Sequence, residues 1–273
     1  MSDKDLAKAV TETMKLNGLI SVDSVDLSGR QAYIKEPEDR KIHERLVAFH
    51  KPRSIESEYF RFLKTKIEHH FDTSVKGDQG RIVLVTGATL GSGKTTCALN
   101  LALSFARAYG NKTLFIDIDS RRAMSRRYLD LGVQDLKGFS DVLAMREPVG
   151  SVLLNTLLFD LIYLPSGEFS DEFIDRLKGK ELEKLLAKLR KQFRYIIIDA
   201  PPVFPMPEPG ILAKHCDGVL VVLGAGKDGP DQLDQTVEAL GDTPIIGIVL
   251  NGVETPPGQG YGSYGYYGKS SKG

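Results

Sequence analysis

From Arg81 onward the chain alternates short, continuous apolar runs with longer stretches in which apolar residues recur every three or four positions. The runs Arg81–Thr86, Thr113–Asp117, Asp160–Leu164, Tyr195–Asp199, Gly218–Leu223 and Ile245–Leu250 are too short for helices, and several are apolar throughout. They predict strands buried on both faces. Helical spacing fills the intervals at Lys94–Tyr109, Ser125–Leu131, Phe139–Met145, Lys178–Gln192, Gly210–His215 and Pro230–Leu240. Strands alternating with helices imply an α/β fold, a mostly parallel sheet with helices on both faces.

Three segments lie outside this rhythm. Ser54–Phe71 reads as an amphipathic helix, with Ser54 as N-cap, Glu56 and Glu58 at the positive end of the dipole, and Phe60, Leu63 and Ile67 on one face. The capping box is incomplete, because Ser57 stands where Glu or Gln would reach back. Glu58, Arg61 and Lys64, three apart, share a neighbouring face that would by default be solvated. Residues 1–50 mix a short helical pattern at Asp5–Lys15 with polar, turn-prone segments, and read as a partly mobile extension of the 51–254 domain. Thr255–Gly273 interleaves glycines with Tyr261, Tyr264, Tyr266 and Tyr267, cannot build a core, and is expected to be a flexible tail.

Composition narrows the class without naming a partner. Lysine plus arginine balances aspartate plus glutamate at 36 each, so no global charge argues for nucleic acid or an anionic membrane. The two cysteines, Cys97 and Cys216, lack metal-ligand spacing and suit a reduced compartment. The charged start of the chain has no apolar leader, and every apolar run falls far short of the roughly 20 residues that span a bilayer. The expectation is a cytoplasmic protein. His43, His50, His69, His70 and His215 form no metal-like pattern and read as surface or cap residues.

The chemistry concentrates at the end of the first strand. Gly87-Ala88-Thr89-Leu90-Gly91-Ser92-Gly93-Lys94-Thr95-Thr96 reads as a phosphate-binding loop, in which small residues let backbone N–H groups turn toward a triphosphate at a helix N-terminus. Gly91, Ser92 and Gly93 supply the cradle, Lys94 reaches the β- and γ-phosphates, Thr95 ligates Mg²⁺, and Thr96 opens the helix. The usual spacing wants glycine at position 88, where Ala88 stands. Two further strands end in carboxylates: Ile116-Asp117-Ile118-Asp119 and Ile198-Asp199-Ala200-Pro201-Pro202. Open α/β sheets place ligands at such ends. Asp199 suits a Walker B aspartate, Asp117 a base or a second Mg²⁺ ligand, and Asp119 a tuning charge. Arg121, Arg122, Arg126 and Arg127 form a basic patch that is exposed by default.

Together these residues resemble the bacterial tyrosine autokinases that regulate capsule and exopolysaccharide synthesis, the BY-kinases. The resemblance runs from about Lys51 to the C-terminus. It is carried by Gly91-Ser92-Gly93-Lys94-Thr95, by Asp117-Ile118-Asp119-Ser120-Arg121-Arg122 (similar to the family's Walker A′), and by Asp199-Ala200-Pro201-Pro202. Gly138-Phe139-Ser140-Asp141-Val142-Leu143, Glu58-x-x-Arg61-x-x-Lys64 and the tail tyrosines add to it. It implies ATP and Mg²⁺ as cofactors, with Lys94, Asp117, Asp119 and Asp199 serving transfer and Asn251 meeting the adenine. It further implies that Tyr261, Tyr264, Tyr266 and Tyr267 are phosphorylated between neighbours in a ring-like homo-oligomer, which Glu58, Arg61 and Lys64 help to join. A membrane-embedded polysaccharide co-polymerase would activate the kinase at the inner face of the membrane, and a tyrosine phosphatase would oppose it. Lys64 departs from the family's usual arginine, Glu208 from its usual aspartate, and Phe169–Leu177 lacks its Asn-Pro segment. Two other readings are an ATPase switch of the partition or septum-placing type, whose signature lysine would stand at Thr89, and a nucleotide-binding regulatory scaffold.

Overall fold

The computed structural model describes residues 37–74, 79–119, 121–122, 124–132, 136–168, 170 and 172–254. These form a seven-stranded sheet of β1 (Arg81–Gly87), β2 (Thr113–Asp117), β3 (Leu154–Asn155), β4 (Leu161–Leu164), β5 (Tyr195–Asp199), β6 (Gly218–Gly224) and β7 (Ile245–Asn251). The spatial order is β3-β4-β2-β5-β1-β6-β7, and every pairing is parallel except β3 with β4. The six expected strands are all present within a residue of their expected ends. The two-residue β3 escaped the sequence because it is too short to show a period. Tail tyrosines 261, 264, 266 and 267 and the Asp5–Lys15 pattern lie outside the described residues.

Each face of the sheet has its own core, and period two along the strands sorts the residues between them. Ile82, Leu84, Leu114, Ile116, Ile196 and Ile198 point to one side, with Leu182, Leu186 and Leu189 of the Lys180–Arg190 helix. Val83, Val85, Phe115, Ile197, Leu220 and Val222 point to the other, against the Lys94–Ala106 helix. That central helix buries eleven of its residues, from Lys94 and Cys97 through Ala106, which is why it reads as apolar nearly all round. Helix Lys180–Arg190 begins later than expected: Gly179 is extended, and a separate turn of helix, Glu172–Leu177, precedes it. At the β7 edge the helical cover thins, leaving Ile248 and Leu250 about half exposed.

Helix Ile55–Ser74 packs Ile67 and Phe71 inward and keeps Phe60 and Leu63 partly covered. Ser54 Oγ accepts the Ser57 N–H at 3.3 Å, the expected cap, and Ser57 Oγ donates to the carbonyls of Val47 and Lys51. Packing against this domain begins upstream of Lys51. Ile42, Leu46 and Ala48 are buried, and the Arg40 guanidinium reaches the carbonyls of Leu129 and Thr156. Residues 40–50 therefore lie on the domain rather than apart from it, because a short apolar pattern at Ile42, Leu46 and Ala48 meets the second core.

The clasp is Asn100, fully buried on the central helix. Its Oδ1 accepts the Ala48 N–H at 2.9 Å, and its Nδ2 donates to the carbonyls of Arg45 and Thr96 at 2.9 Å each. Replacing it strands the buried Ala48 N–H and removes the donor from two part-buried carbonyls. Asn100→Ala should lower stability by about 2 kcal/mol, measured as a fall in the urea unfolding midpoint; an unchanged midpoint would mean that the upstream segment is not clasped there.

Candidate nucleotide and phosphoryl-transfer site

The phosphate loop joins β1 to helix Lys94–Ala106. Gly91 and Gly93 have φ of +76° and +95°, the left-handed region a side chain disfavours. A Cβ at Gly93 would lie 2.0 Å from Asn251 Nδ2, and one at Gly87 would lie 2.2 Å from the Val222 carbonyl oxygen. Glycine is therefore required at 87 by the close approach of β6, whereas Ala88 has no positive φ and tucks its methyl into the core. The apparent spacing defect has no structural cost.

Three side chains, from the end of β7 and from the turn after β6, brace the loop. Asn251 Nδ2 donates to the Ser92 carbonyl at 2.9 Å, so the residue expected at the adenine is placed against the loop backbone. Thr89 Oγ1 donates to Asp228 Oδ1 at 2.6 Å, and Asp228 Oδ2 accepts the Gly224 N–H at 2.7 Å. Lys227 Nζ donates to the Leu90 carbonyl. Lys94 folds over the loop, with Nζ 2.7 Å from the Thr89 carbonyl and 3.5 Å from Ser92 Oγ. Burial lowers its pKa, and the charges of Asp199, Asp119 and Asp228 resist that fall.

Beside the loop stand the carboxylates. β5 lies between β1 and β2, and the register sets Asp117 directly beside Asp199. Each is 1% exposed. Asp117 Oδ1 accepts the Asp119 N–H at 2.9 Å, and its Oδ2 accepts a short hydrogen bond from Ser125 Oγ. Thr95 favours the ionised form of Asp199, whose Oδ1 is buried with no hydrogen-bond partner among the described residues. Burial pushes Asp117 up to about 6 against an ordinary 3.8. Burial, then the Asp117 charge, raises Asp199 well above the same value. Asp119 is partly open, raised by burial and drawn back down by Lys94, Arg121 and Arg122.

The remaining expected residues fall elsewhere. Arg121 Nη1 donates to Glu208 Oε1 at 2.9 Å, and Glu208 is 1% exposed although the sequence marked it only as a departure. Arg61 Nε donates to Glu58 Oε2 at 3.0 Å on the outer helix, while Lys64 turns to Glu68 at 3.5 Å and lies 6.0 Å from the Phe105 ring. Gly138–Leu143 docks on the end of β4 through Phe139 N–H to the Pro165 carbonyl at 2.8 Å. A cavity of about 330 Å³ lined by Gly80, Arg81, Lys112 and Arg190 sits at the opposite, amino ends of the strands. The sequence reading missed Asp228, Ser125 and Tyr163. Only Asp228 had a signal, an aspartate in a glycine-rich turn just beyond a strand's carboxyl end.

A phosphate loop at the carboxyl ends of a parallel sheet, with carboxylates closing two nearby strands, defines a P-loop nucleoside-triphosphatase fold. The AAA domain family matches residues 80–244. The tyrosine-protein kinase CpsD of Streptococcus agalactiae is 32% identical over 218 residues, 79% of this chain and 91% of that protein. The tyrosine-protein kinase YwqD of Bacillus subtilis is 28% identical over 231 residues, 84% of this chain and 93% of its own length. The solved kinase domain of the Escherichia coli tyrosine kinase ETK superposes with a TM-score of 0.70 at 26% identity, covering 81% of this chain and 84% of that one. The chain belongs to this family of bacterial tyrosine-protein kinases built on an AAA domain.

The paired carboxylates give the protein a pH signature. Because Asp117 is held above its ordinary value, the native state binds more protons than the unfolded chain between pH 3.8 and about 6, and stability falls as pH rises through that window. Removing one buried like charge relieves the penalty. In metal-free protein Asp199→Asn should raise the melting temperature at pH 7.5 by about 2–4 °C, with the gain shrinking toward pH 4. A variant no more stable than the wild type at pH 7.5 would show that the pair carries no repulsion.

Proposed function

We propose that the protein is an ATP-dependent autokinase that moves the γ-phosphoryl group to Tyr261, Tyr264, Tyr266 and Tyr267 of a neighbouring copy. The observation that carries this reading is the juxtaposition of Lys94, at the mouth of the phosphate loop, with the buried pair Asp117 and Asp199. Gly91, Ser92, Gly93, Thr95 and Thr96 line the loop and the first turn of its helix, whose positive end faces the phosphates. Lys94, folded over the loop near three carboxylates, would meet the β- and γ-phosphates.

The donor set fits Mg²⁺. Thr95, Asp117 and Asp199 are all hard oxygen donors, and the buried Asp199 Oδ1 lacks a partner that a cation would supply. Among the described residues no group of three or more His, Cys, Asp or Glu would hold a metal alone, which suits an ion shared between one or two carboxylates and the nucleotide. When bound, Mg²⁺ would neutralise charge on the transferring phosphoryl group. A tyrosine hydroxyl with a pKa near 10 needs a base within reach or tight positioning, and the candidate is Asp117, which would either take that proton or share the Mg²⁺ shell. Asp119, half open in front of it, sets the local charge together with Arg121.

Transfer between copies needs a face that joins them. Helix Ile55–Ser74 exposes Ile55, Tyr59 and Phe62 at helical spacing, beside the Glu58–Arg61 pair. An apolar stripe flanked by charges supports a ring contact there, with Lys64 as a minor member because it turns inward. Each phosphate would add roughly −1.5 to −2 charges to the tail and loosen its hold on an acidic site. Assembly and release would then govern capsule or exopolysaccharide synthesis and export, with a membrane-embedded co-polymerase as activator and a phosphatase as counterpart. No helix among the described residues is long and apolar enough to cross a membrane, consistent with recruitment by such a partner.

Intact-protein and tail-peptide mass spectrometry after incubation with Mg·ATP tests the proposal. Phosphate should appear on Tyr261 to Tyr267 in the wild type and be absent from Lys94→Met and Asp117→Asn. Undiminished phosphotyrosine in either variant would sink the assigned roles, and ATP consumed without phosphotyrosine would favour an ATPase switch.

A further inference from the structure

Asp117 is held by more than its backbone. Beyond the Ser125 hydroxyl, its Oδ2 faces the Tyr163 hydroxyl at 3.4 Å, and the two hydroxyls lie 2.9 Å apart. The three groups come from separate elements: the end of β2, the short helix Met124–Tyr128 and the third residue of β4. All are closed to solvent, with Ser125 at 0% and Asp117 and Tyr163 at 1% exposure. Tyr163 also stacks its ring on Phe115 of β2 at 5.9 Å, which fixes where the hydroxyl points.

A core position at this depth is better filled by an apolar residue, because a hydroxyl taken out of water costs free energy unless a specific partner receives it. Here the partner is one oxygen of the carboxylate beside Asp199. Among the described residues the second oxygen, Oδ1, accepts the N–H of Asp119, two residues beyond it at the strand's carboxyl end. Ser125 donates to Oδ2, and the Tyr163 hydroxyl, 2.9 Å from Ser125 Oγ and 3.4 Å from Oδ2, backs that bond, so the carboxylate is hindered from rotating to chelate a cation with both oxygens.

We propose that Ser125 and Tyr163 are positioning residues that clamp Oδ2 of Asp117, fixing the carboxylate so that Oδ1 is presented and thereby setting the Mg²⁺ requirement of the nucleotide site. This rests on the proposed kinase reading for its transfer readout, and only on nucleotide binding for the other. The clamp acts through orientation, so its loss changes Mg²⁺-dependent binding while leaving the loop's grip on phosphate intact.

The test titrates Mg²⁺ against a fluorescent ADP analogue in the full chain, for wild type, Tyr163→Phe, Ser125→Ala, Ser125→Thr and the Ser125→Ala/Tyr163→Phe double variant. Tyr163→Phe and Ser125→Ala should each raise the Mg²⁺ concentration for half-maximal tightening by about tenfold, with Mg²⁺-free binding unchanged. Ser125→Thr, which restores the hydroxyl, should return it toward wild type. The double variant should fall short of the product of the single effects, because both hydroxyls act on one oxygen. At saturating Mg²⁺, kcat for tyrosine transfer should drop in the single variants with KM for ATP unchanged. An unaltered Mg²⁺ requirement in both single variants, or equal weakening with and without Mg²⁺, would overturn the clamp. Absence of phosphotyrosine in the wild type would remove the kinase reading instead, and the Mg²⁺ titration would still decide the clamp.

Discussion

Two carboxylates buried side by side are the constraint around which this site is built. In a dry environment Asp117 and Asp199 repel each other and both resist ionisation. The fold answers with donors on Asp117, namely the Asp119 amide, Ser125 and Tyr163, while Thr95 and the Lys94 charge favour the ionised form of Asp199. One oxygen, Asp199 Oδ1, is left without any. A buried carboxylate pair beside a phosphate loop, one oxygen of it without a donor among the described residues, suits the proposed divalent cation arriving with its nucleotide.

The loop itself is shaped from outside. Its own glycines supply conformational freedom, but freedom alone would leave it loose. The Val222 carbonyl seals the base of the loop against Gly87, Asn251 presses on Gly93 and ties Ser92, and Asp228 anchors Thr89 while holding the turn after β6. Thr89 is thus engaged with a carboxylate of its own chain. The signature lysine that the partition-type reading would place at that position is a threonine here.

The sheet and the position of its site were legible because both depend on local signals. Continuous apolar runs fixed β1, β2, β5 and β6 to within a residue, and a carboxylate after such a run can only sit at a strand's carboxyl end. What was not legible arises from contacts distant in sequence. Tyr163 reads as one more apolar strand residue until the parallel register of β2 and β4 brings it beneath Asp117. Asn251 sits at the end of the last strand, and only the β6–β7 register brings it to Gly93. The packed segment from residue 40 to 50 looks polar because its anchors, Arg40 and the Ala48 and Arg45 backbone, are satisfied by groups far along the chain. Glu208 looked like a variant residue and is an interior carboxylate receiving Arg121.

The same long-range bonds join the outer helix to the phosphate loop. Ser57, one residue before Glu58, donates to the Val47 and Lys51 carbonyls; the Ala48 N–H is received by Asn100; and Asn100 donates to the carbonyl of Thr96, in the first turn beyond Lys94. Every step is a satisfied bond between packed elements, and each holds one arrangement in the structure. Such a relay transmits position and not a switch, since coupling between sites requires an element with two states that each site biases. If copies of this chain meet through helix Ile55–Ser74, the proposed effect of their union on catalysis is a neighbour's tyrosine brought to the partly open Asp119 side of the site, rather than a reshaping of a loop that is already braced.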